Sequence, residues 1–489
     1  MTSPAIRPDL ATALGLLDGH DVVPLVMELP AAGRTPVTLM QRLGVGGHCF
    51  LLESAAGGAL HGFSFLGHRP TATSVDQGDA PLRPLEAVLD ESVAAVEGAD
   101  LPFVGGWVGY LGYEAAARYE VLPSTRAAFP GVPTSLFGLY RTITVFDHDG
   151  ARVLLVTQLR RAGGDPRAAY AHACRDLAEL RVRLDTPVAA GAVDAPGAVA
   201  VTGLAEAEAA VPPPDDASTF PRGDFLAAVE RSLDHIVAGD VFQVQVSRRF
   251  SVPLTAHPFT LYTALRQSSP TPYLFYLSSP ACTLVGASPE MLVRVRGREV
   301  RYRPIAGTRR RGIGADEDAA MERELRESEK EQAEHLMLVD LGRNDVGRVA
   351  EIGTVEVHES AVVERYSRVM HLVSGIRARL APRCTALDAL RACFPAGTVT
   401  GAPKIRAMEL IAGLEPHGRG PYAGAVGYIG SGGVLDTAIA LRTVVVVEGR
   451  AYLQAAAGIV ADSQPHEEAR EIDNKLAAAV DAVLRVNRP

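Results

Sequence analysis

Strand-like runs in this chain come in neighbouring groups, with glycine-rich turns between one run and the next. "HCFLLESAAGG", "FVGGWVGYLGYEAA", "TITVFDHDG" and "ARVLLVTQL" form one group; "VFQVQVSRRFSVPL", "PYLFYLSS" and "CTLVGASPEMLVRVRG" form a second. A third, "AGAVGYIGSGGVLDTAIALRTVVVVEGRAYLQAAAGIV", packs several apolar runs into close succession. Short connections suit antiparallel neighbours, because parallel strands need a long crossover. Helical patterns ("PLEAVLDESVAAVEG", "PRAAYAHACRDLAELRVRL", and "RGDFLAAVERSLDHIVAGD" ending at Gly239) gather between the groups instead of alternating with single strands. The order predicts an α+β fold with antiparallel sheets, not a doubly wound parallel sheet. Residues 186–219 are mostly Ala, Gly, Pro and small polar groups, which bury little and predict a linker or mobile excursion.

Composition narrows the function classes. With 47% apolar and 21% charged residues over 489 positions, a sizeable core forms and wholesale disorder is excluded. A net charge of −9 argues against sequence-independent nucleic-acid binding, which needs a basic face. No apolar run is long enough for a membrane helix. The opening "MTSPAIRPDLATALG" lacks the basic and apolar regions of a signal peptide. Five cysteines, at 49, 174, 282, 384 and 393, are scattered without metal-ligand spacing, so a reduced, cytoplasmic protein is expected. Lysine plus arginine total 48, yet lysine occurs only at 330, 404 and 475. Each is either a chance survivor at the surface or a place that wants a compact point charge instead of a planar fork.

Two carboxylate pairs stand beside these lysines. "EKEQAEHLMLVDLGRND" sets Glu331 and Glu334 three apart on an expected helix, hence on one face. "DSQPHEEAREIDNKL" sets Glu468 and Glu471 at the same spacing, with Lys475 a turn further. Either pair alone reads as a solvated face. If the pairs converge, four carboxylates oppose one another's ionisation, and a hard divalent cation such as Mg²⁺ resolves the conflict. "CFPAGTVTGAPKIRAMELI" is a Gly- and Thr-rich loop with Pro403 near a helix start, where N–H groups receive a carboxylate and Lys404 and Arg406 are expected to add positive charge. Gly458 in "AAAGIVADS", Arg442 in "ALRT" and Tyr422 in "PYAGAVG" add to a pocket for a small molecule with more than one carboxylate. "RYRPIAGTRRRG" reads as a short strand ending in a turn, with the inert Ala306 at its centre.

"PIAGT", "DLGRNDVGRV", "ERYSRVMHLVS", "FPAGTVTGAPKIRAMELI", "GGVLDTAIALRT" and "AGIVADSQPHEEAREIDNK" follow one another as in the chorismate-utilising enzymes, and the chain most resembles anthranilate synthase component I. The resemblance is strong over about 222–480 and weaker through "LLES" and "GGWVGYLGYE". It implies two antiparallel sheets with helices packed outside, the N-terminal part (1–185) and the chorismate-binding part (220–489) forming one two-lobed unit. It further implies that Glu334 and Glu471 hold Mg²⁺ with Glu331 and Glu468 in support. Tyr422, Arg442, Ala457, Gly458 and Lys475 would hold the enolpyruvyl end, Ala306, Gly307 and Thr308 would line the ring, and Thr398 would contact substrate. Glu290 matches the acid that assists loss of the C4 hydroxyl, and His371 a histidine of the later aromatising elimination.

Ala306 occupies the position where aminodeoxychorismate synthases usually carry a nucleophilic lysine, and Gln243 the position of the lysine base of the water-adding relatives. Neither side chain can do that chemistry, which leaves ammonia as nucleophile. No glutaminase-like cysteine elbow is seen ("GGHCFLLE" is a superficial echo), so a separate glutamine amidotransferase subunit is the expected ammonia source. The family's tryptophan site maps onto Glu53, Ser54 and Pro270, Thr271, Pro272 and Tyr273, with Ser269 and Leu274 departing from its pattern; L-tryptophan is thus a candidate inhibitor. Thr400 and Ala456 also depart, where Ser and Gly are usual. The expected reaction turns chorismate and ammonia into anthranilate and pyruvate. Release of 2-amino-2-deoxyisochorismate is the alternative, with an aminodeoxychorismate synthase or a non-catalytic amino-acid-binding subunit behind it.

Overall fold

Every strand pairing in the two sheets is antiparallel, but the two halves of the chain do not keep to separate sheets. The computed structural model describes residues 4–54, 62–75, 80–98, 100–123, 131–161, 164–186, 215–366 and 369–488. The first, 12-stranded sheet runs from Ile6–Arg7 through Val22–Pro30, Arg152–Arg160, Thr142–Asp147, Phe63–His68 and Cys49–Glu53. It continues with Tyr273–Ser278, Thr283–Ser288, Thr443–Val447, Arg450–Ile459, Gln243–Pro253 and Gly401–Ala402. The second, 10-stranded sheet joins Gly106–Leu111, Ser135–Tyr140 and Ala72–Val75 to strands drawn from residues 291–439. The seams are Leu274 opposite Glu53 in one sheet and Ala425 opposite Leu111 in the other.

The sheets pack face to face over Phe65, Phe103, Tyr110, Phe275, Tyr428 and Val445, and helices cover both outer faces. Ala13, Met40, Leu177, Phe225, Leu261, Ile411 and Ile472 bring seven helices onto the first sheet. Val339, Val346, Leu387 and Leu390 bring helices Glu329–Gly347 and Ala386–Cys393 onto the second. Each of these side chains larger than alanine contributes about 1.5–3 kcal/mol when fully removed from water, so the helices are held mainly by their apolar stripes.

Two of the connections that switch sheets meet. "CTLVGASPEMLVRVRG", one run in the sequence, is Thr283–Ser288 in the first sheet and Met291–Arg296 in the second, crossing at Glu290. Val434–Ile439 and Thr443–Val447 likewise cross at Ala440 to Arg442. The crossings are tied by Ile439 N–H to Glu290 O at 3.1 Å and Ala287 N–H to Arg442 O at 3.2 Å.

Two local expectations are corrected. "PLEAVLDESVAAVEG" is not an amphipathic helix: only Arg83–Val88 is helical, as a tight 3₁₀ turn. Beyond it Val93 bridges to Val22 and Ala94 N–H bonds Val22 O at 2.9 Å, so strand contacts replace the helix. "PIAGT" is no terminal turn but part of strand Ile305–Arg310, which continues through a bulge between Ala306 and Thr308. Gly307 supplies the positive φ of 61° that the bulge requires. Of the 186–219 stretch, 187–214 lie outside the described residues; Asp215–Ala217 forms a 3₁₀ turn whose Asp215 pairs with the buried Arg248.

Candidate active site

The expected carboxylate pairs lie on helices Glu329–Gly347 and Pro465–Val486. Ser328 starts the first by accepting Glu331 N–H at 3.4 Å. The pairs are coupled through Glu334: after burial as the larger cause, its pKa is raised by Glu331 of its own pair and by Glu471 of the other, while that of Glu468 is raised by burial and then by Glu471 beside it. Three of the four acids have charged or amide partners, and the fourth, Glu468, has the Ser463 hydroxyl beside it. Glu331 accepts from Arg309 at 2.8 Å, Glu334 from Gln243 Nε2 at 2.8 Å, and Glu471 meets Lys475 Nζ at 2.6 Å. Glu468 Oε2 is buried without a partner. Among the described residues no three acidic, His or Cys side chains are close enough to form a ready metal cluster. The donor chemistry still suits a hard cation: all-oxygen ligands, one of them orphaned, with ionisation disfavoured until positive charge arrives.

Around the acids, the remaining expected residues converge. A Cβ on Gly307 would lie 2.9 Å from Glu331 Oε2, so glycine there lets the bulge approach the helix. A Cβ on Gly458 would lie 2.7 Å from Gln245 Nε2 and 2.9 Å from Gln243 Nε2, so the strand bearing Ala456 and Ala457 needs glycine at that point. Lys475 Nζ also donates to Ala456 O at 2.9 Å, and the Ala456 backbone lies near the buried Tyr422 phenol. Gln243 is fully buried and its Oε1 has no partner.

Glu290, at the crossing between sheets, is buried, and burial pushes its carboxyl up to about 8. Thr398, the Ile305 N–H and Lys475 oppose the shift weakly. Thr398 approaches without reaching hydrogen-bond geometry, so its Oγ1 and Glu290 Oε1 both remain unpartnered among the described residues. At neutral pH Glu290 is therefore mostly a neutral acid. His371, on Val369–Arg379, places Nδ1 3.2 Å from Gly307 O and 3.0 Å from Thr308 Oγ1. A carbonyl only accepts, so Nδ1 carries the hydrogen and Nε2 the lone pair. Burial, then the nearby Arg442 charge, lowers the His371 pKa to about 4 and keeps the ring neutral. Arg442 sits in the left-handed region at φ 46° and makes no side-chain ion pair or hydrogen bond among the described residues. A cation so placed awaits an anion.

The other lysines differ. Lys404 does not add charge for a ligand: it is buried against Asp345 at 2.7 Å. Arg406 is likewise taken up, by Asp240 at 3.2 Å and Glu409 at 2.8 Å. Lys330 is exposed and stabilises ionised Glu334 and Glu468. Cys49 is buried with its thiol pushed up to about 12, unlike a glutaminase nucleophile. Away from this centre, Glu53 is buried, accepting from Arg266 at 2.8 and 3.1 Å and from Tyr262, directly across from Leu274. A small space between the sheets joins Glu53 to Tyr273 and Asp436, whose side chains bond at 2.9 Å. Ser269 caps the end of helix Pro258–Ser268, and Thr271 is buried beside it.

A fold of two interleaved antiparallel sheets with this constellation defines a class: the chain belongs to the chorismate binding enzyme family, whose model matches residues 47–481. Within that family it is similar to proteins named anthranilate synthase component 1. The one from Streptomyces coelicolor is 48% identical, covering 98% of this chain and 93% of its own. That from Thermus thermophilus is 44% identical over 98% of each. The crystal structure of anthranilate synthase component I from Streptococcus pneumoniae superposes with a TM-score of 0.73 at 36% identity, covering 88% of this chain and 93% of that one.

Missed by the sequence reading is a buried charge network behind the site, Glu415–Arg419 with Glu114. The only signal was a Glu and an Arg four apart, a spacing that ordinary surface helices share.

Proposed function

We propose that the protein is the chorismate-converting component of an anthranilate synthase, turning chorismate and ammonia into anthranilate, pyruvate and water. The observation that supports this most is the pairing of a neutral buried acid, Glu290, with the unpaired, partly buried cation Arg442 at the joined crossings of the two sheets. The first can protonate a leaving hydroxyl, and the second can take a carboxylate. Ammonia attacks C2 of the ring as the double bonds shift and the C4 hydroxyl departs as water with the Glu290 proton. The ammonium group at C2 gives up one proton, and His371 Nε2 takes the C2 proton as the C3–O bond breaks and enolpyruvate leaves. The enolpyruvate gains a proton at its methylene carbon to become pyruvate, and the ring becomes aromatic. Ala306 offers no amine and Gln243 no base, so neither a covalent ring adduct nor activated water competes. Mg²⁺ is the proposed metal, held by Glu334 and Glu471 with Glu331 and Glu468 in support; when bound it neutralises the ring carboxylate. A glutamine amidotransferase subunit is the proposed ammonia source, and L-tryptophan the proposed ligand near Glu53. No helix among the described residues is long and apolar enough to cross a membrane. Incubation with chorismate, Mg²⁺ and an ammonium salt should yield anthranilate fluorescence and an equal amount of pyruvate. Amination without pyruvate release would refute the reading.

A further inference from the structure

Arg419 is only 1% exposed, yet its guanidinium is among the most engaged groups in the chain. Nε and Nη2 meet Glu415 at 3.0 and 2.7 Å, Nη1 donates to Val399 O at 2.6 Å, and Nη2 also donates to Gln245 O at 2.7 Å. The Tyr113 ring lies 4.7 Å beneath Cζ. Burial opposes the charge, but Glu415, Tyr113 and Tyr422 together more than offset it, and the group stays cationic. A buried ion pair is weak evidence for stability, because well-packed apolar side chains often replace one at no loss. What an apolar side chain cannot do is donate in several fixed directions at once.

Those directions lead to the reaction centre. Val399 follows Thr398 in the turn Gly397–Val399. Gln245 lies two residues beyond Gln243 and directly opposite Gly458. Tyr422 is three residues past Arg419, on a segment that is itself held: Glu114 accepts the N–H groups of Arg419 at 2.5 Å and Gly420 at 2.9 Å, and Tyr113 N–H donates to Gly420 O at 2.8 Å. Glu415, besides its partner, takes the N–H and hydroxyl of Ser247 at 2.8 Å each, across from Ala456.

We propose that Arg419 is a positioning residue for this reaction: its planar fork fixes the spacing between the Thr398 turn, the Gln245–Gly458 strand pair that carries Gln243 and the Tyr422 loop, while Glu415 and Glu114 fix Arg419. It touches no reacting atom and acts through the three segments that do. The role rests on the functional reading above.

Two variants separate positioning from simple support. R419K keeps the charge but gathers its donors at one point, so it cannot span Glu415, Val399 O and Gln245 O together. R419M/E415Q removes the pair without leaving a buried charge behind. Both are compared with the parent for anthranilate formation, chorismate affinity by calorimetry, and thermal unfolding. The expected result is a loss of about 100-fold in kcat/KM for chorismate in both, the scale on which an ångström of misplacement is felt. Chorismate affinity should weaken as well, while R419M/E415Q melts near the parent. Parent-like kcat/KM and affinity in the double variant overturn the proposal; should that variant fail to fold, the same result in folded R419K does so. A parent that binds chorismate but makes no anthranilate refutes the functional reading instead, and the affinity comparison then decides the role of Arg419.

Discussion

Replacing Glu290 by glutamine should sharply reduce activity and, above pH 5, make the protein progressively more stable relative to the parent. In the folded chain burial lifts the Glu290 pKa from 4.5 to about 8. Between those values the folded state binds a proton that the unfolded state has released, so the parent loses stability as pH rises through this window. Each unit corresponds to about 1.4 kcal/mol, giving about 3 kcal/mol by pH 7 and about 5 kcal/mol at the plateau above pH 8. The amide introduced by Glu290→Gln does not titrate, so the variant escapes that loss. It adds N–H donors where Glu290 Oε1 has no partner, a constant cost of about 1–3 kcal/mol that shifts the comparison without changing its slope. Denaturant unfolding of both proteins from pH 4.5 to 9 therefore reads the difference curve. It should climb between pH 5 and 8 and flatten outside that range. In the same window the parent's kcat/KM should fall above about pH 8, as the acid ionises, and the variant's should be lower by about 10²–10⁴. A flat stability difference across pH 5–8 would refute the assignment of Glu290 as a buried neutral acid.

Mg²⁺ should raise the unfolding temperature of the parent, by about 3 kcal/mol of stabilisation at a hundredfold excess over Kd, and fail to do so in Glu471→Gln. Because burial, then neighbouring carboxylates, raise the pKa values of Glu334 and Glu468, calorimetric Mg²⁺ affinity should increase as the pH rises and both acids lose their protons. Gly458→Ala forces a Cβ to within 2.9 Å of both Gln243 and Gln245, and should raise KM for chorismate about tenfold with circular dichroism unchanged. Titration with L-tryptophan should show saturable binding that Glu53→Gln weakens; absence of heat at millimolar ligand would mean that Ser269 and Leu274 have closed the site.

The sequence carried the local part of this centre well. Three-residue spacing is a one-face rule on any helix, and Glu331, Glu334, Glu468 and Glu471 obey it. Glycine at 458 and at 307 was visible as a letter, but its cause, the approach of two glutamines and of a carboxylate, needs coordinates. Charge was the weakest guide: Lys404 and Arg406 looked available and are bound to Asp345, Asp240 and Glu409. Whether a cation is spent internally depends on residues far away in sequence. For the same reason the helix expected over "PLEAVLDESVAAVEG" yields to Val22, and the split of "CTLVGASPEMLVRVRG" between sheets left no mark on its apolar pattern.

The interleaving of the two sheets also bears on how the molecule comes into being. As synthesis proceeds from the N-terminus, Cys49–Glu53 and Gly106–Leu111 exist long before Tyr273–Ser278 and Ala425–Gly430, the strands that cover them. Until then both are open edges of apolar sheet, the kind of surface on which nascent chains associate with one another. Their pairings join residues far apart in the chain, Glu53 with Leu274 and Leu111 with Ala425, so completing them is slow compared with forming any single helix. A truncated N-terminal piece would inherit those edges permanently. For this architecture, the hazardous moment is the interval between making the first half and closing it with the second.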